Sequence, residues 1–255
     1  MKIHFLGTGT SQGIPVIGSD HPVCLSTDLK DKRLRSSILI EWQEQNIAID
    51  CGPDFRQQML RINNKKLDAL LFTHEHADHT VGIDDIRPYC FLNKRPLPIY
   101  GMERVLNSLK QRFDYIFEVK NRYPGAPSVT THVVEPNKPF VIGGLKIIPI
   151  LVHHGNLPIL GYRFENFAYL TDVKTLTEES YEQLKNLDVL VISALHINEH
   201  PTHNNLQEAL NHIEKIKPKT AYLTHIGYQM GFHEEVSKVL PKNINLAFDQ
   251  LIINL

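Results

Sequence analysis

Residues 67–79 read LDALLFTHEHADH, an apolar run followed by a cluster of histidines and carboxylates. The apolar run 67–73 predicts a buried strand. If residues 74–79 continued that strand, their polar side chains would be divided between its two faces. A loop at the end of the strand instead brings four of them around one point: His74, His76, Asp78 and His79. Zinc, manganese and iron accept imidazole nitrogen and carboxylate oxygen as ligands, so the segment predicts a transition-metal site. Glu75 is expected to point away from it.

The remaining pattern predicts two sheets. Strands are predicted over residues 3–6, 37–42 and 46–50, and in the second half over 145–151, 160–164, 167–170, 188–192, 220–223, 244–248 and 251–253. Helices are predicted over 80–87, ended by Pro88, and over 102–113, 178–187 and 206–216. A further helix would start after Asp54, with Asp54 as its cap. Strands gathered in both halves, each set followed by alternating strands and helices, predict an α+β fold with two sheets face to face and helices outside.

We expect one domain over residues 1–255. Residues 89–139 are rich in proline and have too few apolar residues for a core of their own, so we expect an excursion over the site. A substrate lid and a plain surface insertion both stay open as interpretations. Residues 7–13 contain three glycines, a density that is typical either of a turn or of a loop whose N–H groups hold phosphate.

Composition narrows the choice of partners. The 255 residues carry a net charge of −1, so no basic surface indicates a long nucleic-acid partner, whereas a small anionic substrate is compatible. Three widely spaced cysteines form no disulfide framework. The N-terminus breaks to glycine too soon for a signal peptide, and no apolar run reaches eighteen residues. We therefore expect a cytoplasmic protein with no membrane partner, and a homodimer would be usual for such an enzyme.

More candidate ligands stand at the ends of predicted strands, where loops usually carry chemistry. They are His154, Asp172, His203 and His225. Together with residues 74–79 they can fill two metal sites. One ion would be held by His74, His76 and His154. The other would be held by Asp78, His79 and His225, with Asp172 bridging the two. We expect two divalent ions per chain, with zinc favoured by the histidine-rich set and Mn²⁺ or Fe²⁺ also accepted.

This ligand series resembles that of the metallo-β-lactamase superfamily. Within it, the chain is similar to the branch that includes ribonuclease Z and the phosphoribosyl cyclic phosphodiesterase, through the segments LGTGTSQGIPVIG, IDCGPDFRQQ, DDIRP, GYR, HPTH and YLTHI. The resemblance implies a four-layer αβ/βα sandwich and phosphodiester hydrolysis. It also implies that His154, directly before Gly155, is the ligand in preference to His153, and that His203 of HPTH is a non-ligand catalytic residue near the scissile phosphate. His200 is expected near the site.

The chain departs from the phosphonate-pathway enzyme at one place. Relatives hold a separate structural zinc with a CxCxxC segment and a later histidine, where this chain has Ser19, His21, Cys24 and Tyr228. A closed structural site needs four ligands, and only His21 and Cys24 remain. We therefore expect the third, structural zinc to be absent.

The expected mechanism is attack on phosphorus by a hydroxide that bridges the two ions. His203 would donate a proton or hydrogen bond to the phosphate or the leaving oxygen, and Asp78 would bind metal and orient the nucleophile. Three alternatives stay open: an endonuclease of the ribonuclease Z type acting on transfer-RNA precursors, a thioester or lactam hydrolase, and a non-catalytic metal-binding protein.

Overall fold

The computed structural model describes residues 1–255, and its backbone is built on two β-sheets. The strands are β1 (Lys2–Gly7), β2 (Ser37–Trp42), β3 (Gln45–Ile49), β4 (Ala69–Leu71), β5 (Leu97–Gly101), β6 (Val129–Val133), β7 (Phe140–Ile142), β8 (Leu145–His154), β9 (Leu157–Phe164), β10 (Phe167–Leu170), β11 (Thr175–Leu176), β12 (Val189–Ser193), β13 (Thr220–Thr224), β14 (Ile244–Leu246) and β15 (Ile252–Asn254). The helices are α1 (Pro22–Leu25), α2 (Phe55–Arg61), α3 (Ala77–Thr80), α4 (Arg87–Asn93), α5 (Glu103–Arg112), α6 (Asp114–Phe117), α7 (Glu178–Gln183), α8 (Leu206–Ile216) and α9 (His233–Val239). Short 3₁₀ helices cover Leu29–Asp31, Val81–Ile86 and Tyr228–Met230.

Each sheet joins an antiparallel half to a parallel half. The first sheet has the order β15-β1-β2-β3-β4-β5-β6, antiparallel from β15 to β3 and parallel from β3 to β6. The second has the order β11-β8-β9-β10-β12-β13-β14, with β7 also paired to β8. It is antiparallel up to β10 and parallel from β10 to β14. Because parallel strands end at the same edge, the loops that follow β10 and β13 lie at one edge of the second sheet, and the loop after β4 of the first sheet meets them there.

Alternation along the strands produces a layered core. In β12, Val189 and Val191 face the core between the two sheets, whereas Leu190 and Ile192 face α8. In β2, Ile38 and Ile40 face the central core, and Leu39 packs toward α2 with Phe55 on the opposite side. Strands buried on both faces are continuous apolar runs, which is why they stand out in the sequence. The predicted architecture of two sheets with helices outside is confirmed.

Residues 89–139 differ from the expected excursion. They contribute β5 and β6 to the first sheet, and Leu97, Ile99 and Val105 belong to the core beneath α5. The apolar residues are sufficient because they complete a core started by other segments and need not form their own. One part of this segment, α5, does reach the histidine-rich loop, as described below.

The starts of α2 and α4 differ from the sequence prediction. Pro88 does not end a helix; it lies in the first turn of α4, where a missing N–H costs nothing. Asp54 precedes α2 but makes no side-chain cap, because its carboxylate accepts hydrogen bonds from Arg35 instead. None of the helices is long and apolar enough to cross a membrane.

The N-terminal loop is held against the C-terminal half by apolar packing. Ile14, Val23 and Cys24 form a small core with Tyr228, and the His21 and Tyr228 rings lie 4.8 Å apart between centroids. His21 and Cys24 belong to no group of three metal-ligating side chains. The absence of a structural zinc here stays a prediction.

Candidate metal centre

Three histidines from two strand ends form the first ligand group. The chain leaves β4, and His74 and His76 follow it, while His154 ends β8. The nitrogens of His74, His76 and His154 lie within 4.8 Å of one another. His74 Nε2 is 3.0 Å from His76 Nδ1, so two ring nitrogens point at the same small volume. The cluster opens to solvent at His76, which is exposed.

A second group forms beside the first. It comprises Asp78 and His79, at the start of α3, and His225, which follows β13. His79 Nε2 lies 3.1 Å from Asp78 Oδ2, and His225 Nε2 lies 3.6 Å from the same oxygen. These are the residues assigned to the second ion from the sequence.

Asp172 lies between the two groups. Its Oδ2 is 3.3 Å from His79 Nε2, and its Oδ1 is 3.2 Å from His225 Nε2. Asp172 also belongs to two further groups of potential ligands, one with His74 and His79 and the other with His154 and His203. This is the position expected of a bridging carboxylate.

Left-handed backbone turns aim the side chains at the strand ends. Asp50, Asp172 and His225 have φ values of 63°, 55° and 56°. Such values are uncommon outside glycine and are maintained only where the surrounding structure enforces them. Asp50 follows β3 of the first sheet, and Asp172 and His225 follow β10 and β13 of the second. At each position the turn directs the side chain toward the cluster.

Asp50 is the functional residue that the sequence interpretation left without a role. Its carboxylate is fully buried and accepts hydrogen bonds from His79 Nδ1 at 2.7 Å and from the Thr73 N–H and hydroxyl, both at 2.8 Å. The Thr73 hydroxyl lies 3.0 Å from His74 Nδ1. Because that hydroxyl donates to Asp50, it accepts from His74 Nδ1–H. Asp50 therefore holds the Nδ1 side of His79 directly and that of His74 through Thr73, so that both Nε2 atoms face the cluster.

His154 is oriented in the same way by a backbone carbonyl. Its Nδ1 lies 2.7 Å from the Thr202 oxygen, so Nδ1–H donates there and Nε2 faces the cluster. His153, the preceding residue on β8, points to the opposite face and belongs to no ligand group. The structure thus brings His154 into the cluster, as expected from the resemblance.

The charges of the cluster suit a cation. Burial, together with the neighbouring His79, lowers the pKa of His74 well below its ordinary value. Burial would raise the pKa of Asp172, but the imidazoles of His225 and His79 hold it well below its usual range. Burial lowers the pKa of His79, but Asp78, Asp172 and Asp50 outweigh it and raise that pKa well above 6.5. Ionised carboxylates therefore surround a point that attracts positive charge.

The donor set fits divalent metal ions. His79 Nε2 and His225 Nε2 are buried beside the Asp78 and Asp172 carboxylates without a well-formed hydrogen bond, which is costly unless a cation lies among these atoms. Five imidazoles and two carboxylates supply the nitrogen and oxygen atoms that zinc and manganese accept. Six ligands in two groups with a shared carboxylate are enough for two ions.

His203 lies at the edge of the cluster. Its Nδ1 is 3.6 Å from Asp172 Oδ1, and its ring lies 4.4 Å from His154 and 5.1 Å from His225 between centroids. Burial lowers the pKa of His203 to about 3, so the ring is neutral with one N–H to donate. The ring of His200 lies 5.0 Å from that of His203, close to the site as expected.

Helix α5 supports the histidine-rich loop from outside. Glu75 points away from the cluster and pairs with Arg104, whose Nη1 donates to Glu75 Oε1 at 2.6 Å. Arg112 donates to the Glu75 carbonyl at 3.0 Å and to the Thr80 hydroxyl at 3.2 Å. The sequence pattern of α5 showed only its apolar stripe and gave no signal for this contact.

Comparison with known proteins identifies the family. Residues 45–226 match the model of the beta-lactamase superfamily domain. An octanoyltransferase from Porphyromonas gingivalis is 41% identical over 253 residues, which cover 98% of this chain and 51% of that protein. A ribonuclease Z from Methanococcus aeolicus is 27% identical over 146 residues, 56% of this chain and 39% of that protein. The chain thus spans about half, or less, of the length of these relatives.

Solved structures agree with the family match. A crystal structure described as a new diphosphatase from the PhnP family has a TM-score of 0.92 and 41% identity, covering 99% of this chain and 96% of that one. Zn²⁺-bound PqqB from Methylobacterium extorquens has a TM-score of 0.82 at 17% identity and covers both chains fully, which shows the shared fold. The match over residues 45–226, the αβ/βα sandwich and the histidine-rich cluster lead to one conclusion: the chain belongs to the metallo-β-lactamase superfamily of hydrolases.

Proposed function

We propose that the chain is a dinuclear metal-dependent phosphodiesterase that acts on small phosphodiesters. One observation carries this proposal: Asp172 lies between two three-residue groups of potential ligands, and the imidazole of His203 lies beside Asp172 at the edge of the cluster. His74, His76 and His154 would hold one ion. Asp78, His79 and His225 would hold the other. Zinc is the proposed metal, and the same atoms accept Mn²⁺ or Fe²⁺.

The roles of the side chains follow from their positions. Divalent ions supply Lewis acidity toward a phosphoryl oxygen and lower the pKa of bound water. His203 donates a hydrogen bond from its ring to a phosphoryl or leaving oxygen. Asp78, besides binding metal, orients the attacking water. No thiol nucleophile is required, and Cys24, Cys51 and Cys90 are buried outside the cluster.

The proposed substrate class includes disubstituted diphosphates. A similar structure is described as a diphosphatase. In a disubstituted diphosphate each phosphorus carries one ester oxygen and one bridging oxygen, so it has two substituents, as in a phosphodiester. Water added across the P–O–P linkage gives two phosphate monoesters. The same site chemistry therefore serves both linkages.

We propose a small substrate in preference to a long nucleic acid or a membrane. The net charge of −1 gives the chain no overall positive charge to attract a polyanion. The octanoyltransferase name describes a protein about twice as long as this chain, and we do not extend its activity to the chain.

Hydrolysis of defined esters tests the proposal. Purified protein is stripped by a chelator, reloaded with Zn²⁺ or Mn²⁺, and assayed with bis(p-nitrophenyl) phosphate, di(adenosine-5′) diphosphate and the monoester p-nitrophenyl phosphate. We expect metal-restored cleavage of the diester or the diphosphate and none of the monoester. D172N is the variant expected to lose activity, because it changes only the carboxylate that lies between the two ligand groups.

Metal analysis makes a negative result decisive. A protein that holds two ions per chain yet cleaves neither the diester nor the diphosphate would refute the proposed function. Thioester and lactam substrates would then be tested next.

A further inference from the structure

Arg35 is held at four points, which leaves one end of its guanidinium free. Its backbone N–H donates to Asp54 Oδ2 at 2.9 Å, and its carbonyl accepts from Gln58 Nε2 at 2.8 Å. Its Nε donates to the Ser11 carbonyl at 3.0 Å, and its Nη1 contacts both Asp54 carboxylate oxygens at 3.3 Å. The other terminal nitrogen, Nη2, makes no hydrogen bond within the protein, and the side chain is 28% exposed.

Arg35 lies beside the metal loop, which is the histidine-rich loop of residues 74–79. A Cβ added to Gly52 would lie 2.1 Å from the Asp78 carbonyl oxygen and 3.5 Å from the Arg35 Cβ, so Gly52 is wedged between these two residues. On its other side Arg35 pairs with Gly9, which also pairs with Ile226, the residue after His225. Two strand spacings separate the Arg35 and Ile226 backbones, which is about 10 Å. The Arg35 backbone is therefore about two strands from the residue that follows His225, and its Cβ lies beside the turn that packs on Asp78.

The other cations near the cluster are already engaged. Arg104 and Arg112 are bound to Glu75 and its loop, and Lys174 donates to Glu208 at 2.6 Å. In contrast to these three side chains, Arg35 has a terminal N–H₂ group that makes no hydrogen bond within the protein.

We propose that Arg35 binds the phosphoryl group that is not attacked, and thereby makes disubstituted diphosphates the preferred substrates. This inference rests on the proposed function. The metal ligands can hold only the attacked phosphoryl group, so the second one needs a separate cation. A guanidinium presents N–H groups in a plane that matches phosphate oxygens. Because Asp54 and Ser11 already hold the guanidinium, little conformational entropy is lost on binding.

Kinetics with one or two phosphoryl groups test this assignment. R35Q removes the charge and keeps an amide donor, and R35K keeps the charge and loses the planar fork. We expect KM for di(adenosine-5′) diphosphate to rise about 10- to 100-fold in R35Q with kcat little changed. R35K should fall between R35Q and the parent. The kinetic constants for bis(p-nitrophenyl) phosphate should not change, because it has no second phosphoryl group.

A matched control and a binding measurement separate the outcomes. R56Q makes the same change at exposed Arg56 of α2 and should leave all constants unchanged. Calorimetric binding of methylenediphosphonate should weaken in R35Q and remain in R56Q. An equal loss for both substrates, or unchanged KM and binding in R35Q, would overturn the assignment. If the parent cleaves neither substrate, the proposed function fails, and the calorimetry alone decides on Arg35.

Discussion

Asp50 belongs to none of the ligand groups, and it supports the metal centre through hydrogen bonds to the ligands. It accepts from His79 directly and from His74 through the Thr73 hydroxyl. Carboxylates that orient ligand histidines typically account for 10- to 100-fold in metal affinity. We expect D50N to weaken zinc binding by about 10- to 100-fold, measured by competition with a chromophoric chelator. Asparagine tolerates the left-handed backbone at this position, so the fold should persist.

The same substitution at Asp68, the residue before β4, provides the control. Asp68 is also buried, but it binds the Asn46 N–H, Arg95 and Lys66, all away from the cluster. D68N should leave zinc affinity intact. Equal zinc affinity in D50N and the parent would contradict the role given to Asp50.

His203 is expected to act on substrate without holding metal. H203A should lower kcat by about 10²- to 10⁴-fold, because a positioned hydrogen-bond donor near the reacting phosphate is lost. Zinc content, measured by atomic emission on the same preparation, should equal that of the parent. H153A, next to a ligand but on the opposite face of β8, is the control. Loss of zinc in H203A would make it a ligand, and unchanged kcat would remove its catalytic role.

The candidate site was predictable wherever a ligand follows a strong strand signal. His154, Asp172 and His225 each stand at the end of an apolar run, and the structure places all three in the cluster. Asp50 stands at the end of β3 and satisfies the same rule. It received no role because a carboxylate that supports ligand histidines through hydrogen bonds leaves no distinct pattern in the sequence. For Asp54 the sequence predicted a helix cap that does not form. Its carboxylate instead accepts hydrogen bonds from Arg35, nineteen residues away.

At the scale of elements, the metal loop is positioned by the turn after β3. Cys51 N–H donates to the His79 carbonyl at 2.7 Å, and its own carbonyl accepts from Gly82 N–H at 2.9 Å. Gly52 has no room for a side chain, because a Cβ would lie 2.1 Å from the Asp78 carbonyl oxygen. We expect G52A to displace the loop and abolish stoichiometric zinc binding, measured by metal analysis after gel filtration.

A second glycine shows whether this effect is specific. A Cβ at Gly101 would lie 3.6 Å from the Phe72 Cβ, an ordinary contact. G101A should therefore bind zinc normally. If G52A also bound zinc at full stoichiometry, the loop would be shown to be independent of the turn at Cys51 and Gly52.

The start of α9 is tied to the N-terminal loop by a histidine that should be neutral. His233 is buried. Its backbone N–H donates to Asp31 Oδ1 at 2.7 Å, and its ring Nδ1 accepts from Arg33 Nη2 at 3.1 Å. Burial, with Arg33 and Lys30 nearby, lowers the pKa of His233 to about 4 from 6.5. As pH falls from 6.5 to 4, the unfolded chain gains a proton that the folded chain does not. The stabilisation is therefore complete above pH 6.5 and is lost below it.

Denaturant unfolding across this pH range tests the effect. The parent should lose at most about 3 kcal/mol more than H233N between pH 6.5 and 4, since asparagine accepts the Arg33 hydrogen bond without titrating. H132N, at an exposed histidine of β6, is the control. Parallel curves for H233N and the parent would contradict the assignment.

Element boundaries were least predictable where tertiary contacts replace local signals. β5 and β6 lie in a proline-rich stretch, and β6 is mostly exposed at the sheet edge, so neither shows a strong apolar run. Pro88 favours the end of a helix and the first turn of one equally well, and only the preceding 3₁₀ helix decides between them. By contrast α8 has the predicted bounds, because its stripe is bordered by a capping box at Asn205 and Glu208.

At the scale of the whole molecule, the metal centre connects both sheets. Its ligands follow β4 of the first sheet and β8, β10 and β13 of the second. The architecture was predictable because every central strand is buried on both faces. The relative placement of the two sheets was not, since it depends on packing within the central core, where Tyr162 donates to the Phe72 carbonyl at 2.7 Å.

Because ligands from both sheets converge on one cluster, metal should stabilise the whole fold and not only one loop. The unpartnered nitrogens of His79 and His225 and the neighbouring carboxylates are costly to bury without a cation. A ligand at 1,000 times its Kd adds about 4 kcal/mol, and a domain of this size gains about 2–4 °C in Tm per kcal/mol. We expect calorimetry to show a Tm roughly 8–16 °C lower after chelation, restored by Zn²⁺. D172N should show a smaller shift, and a parent Tm that does not change with zinc would contradict coupling of the centre to the fold.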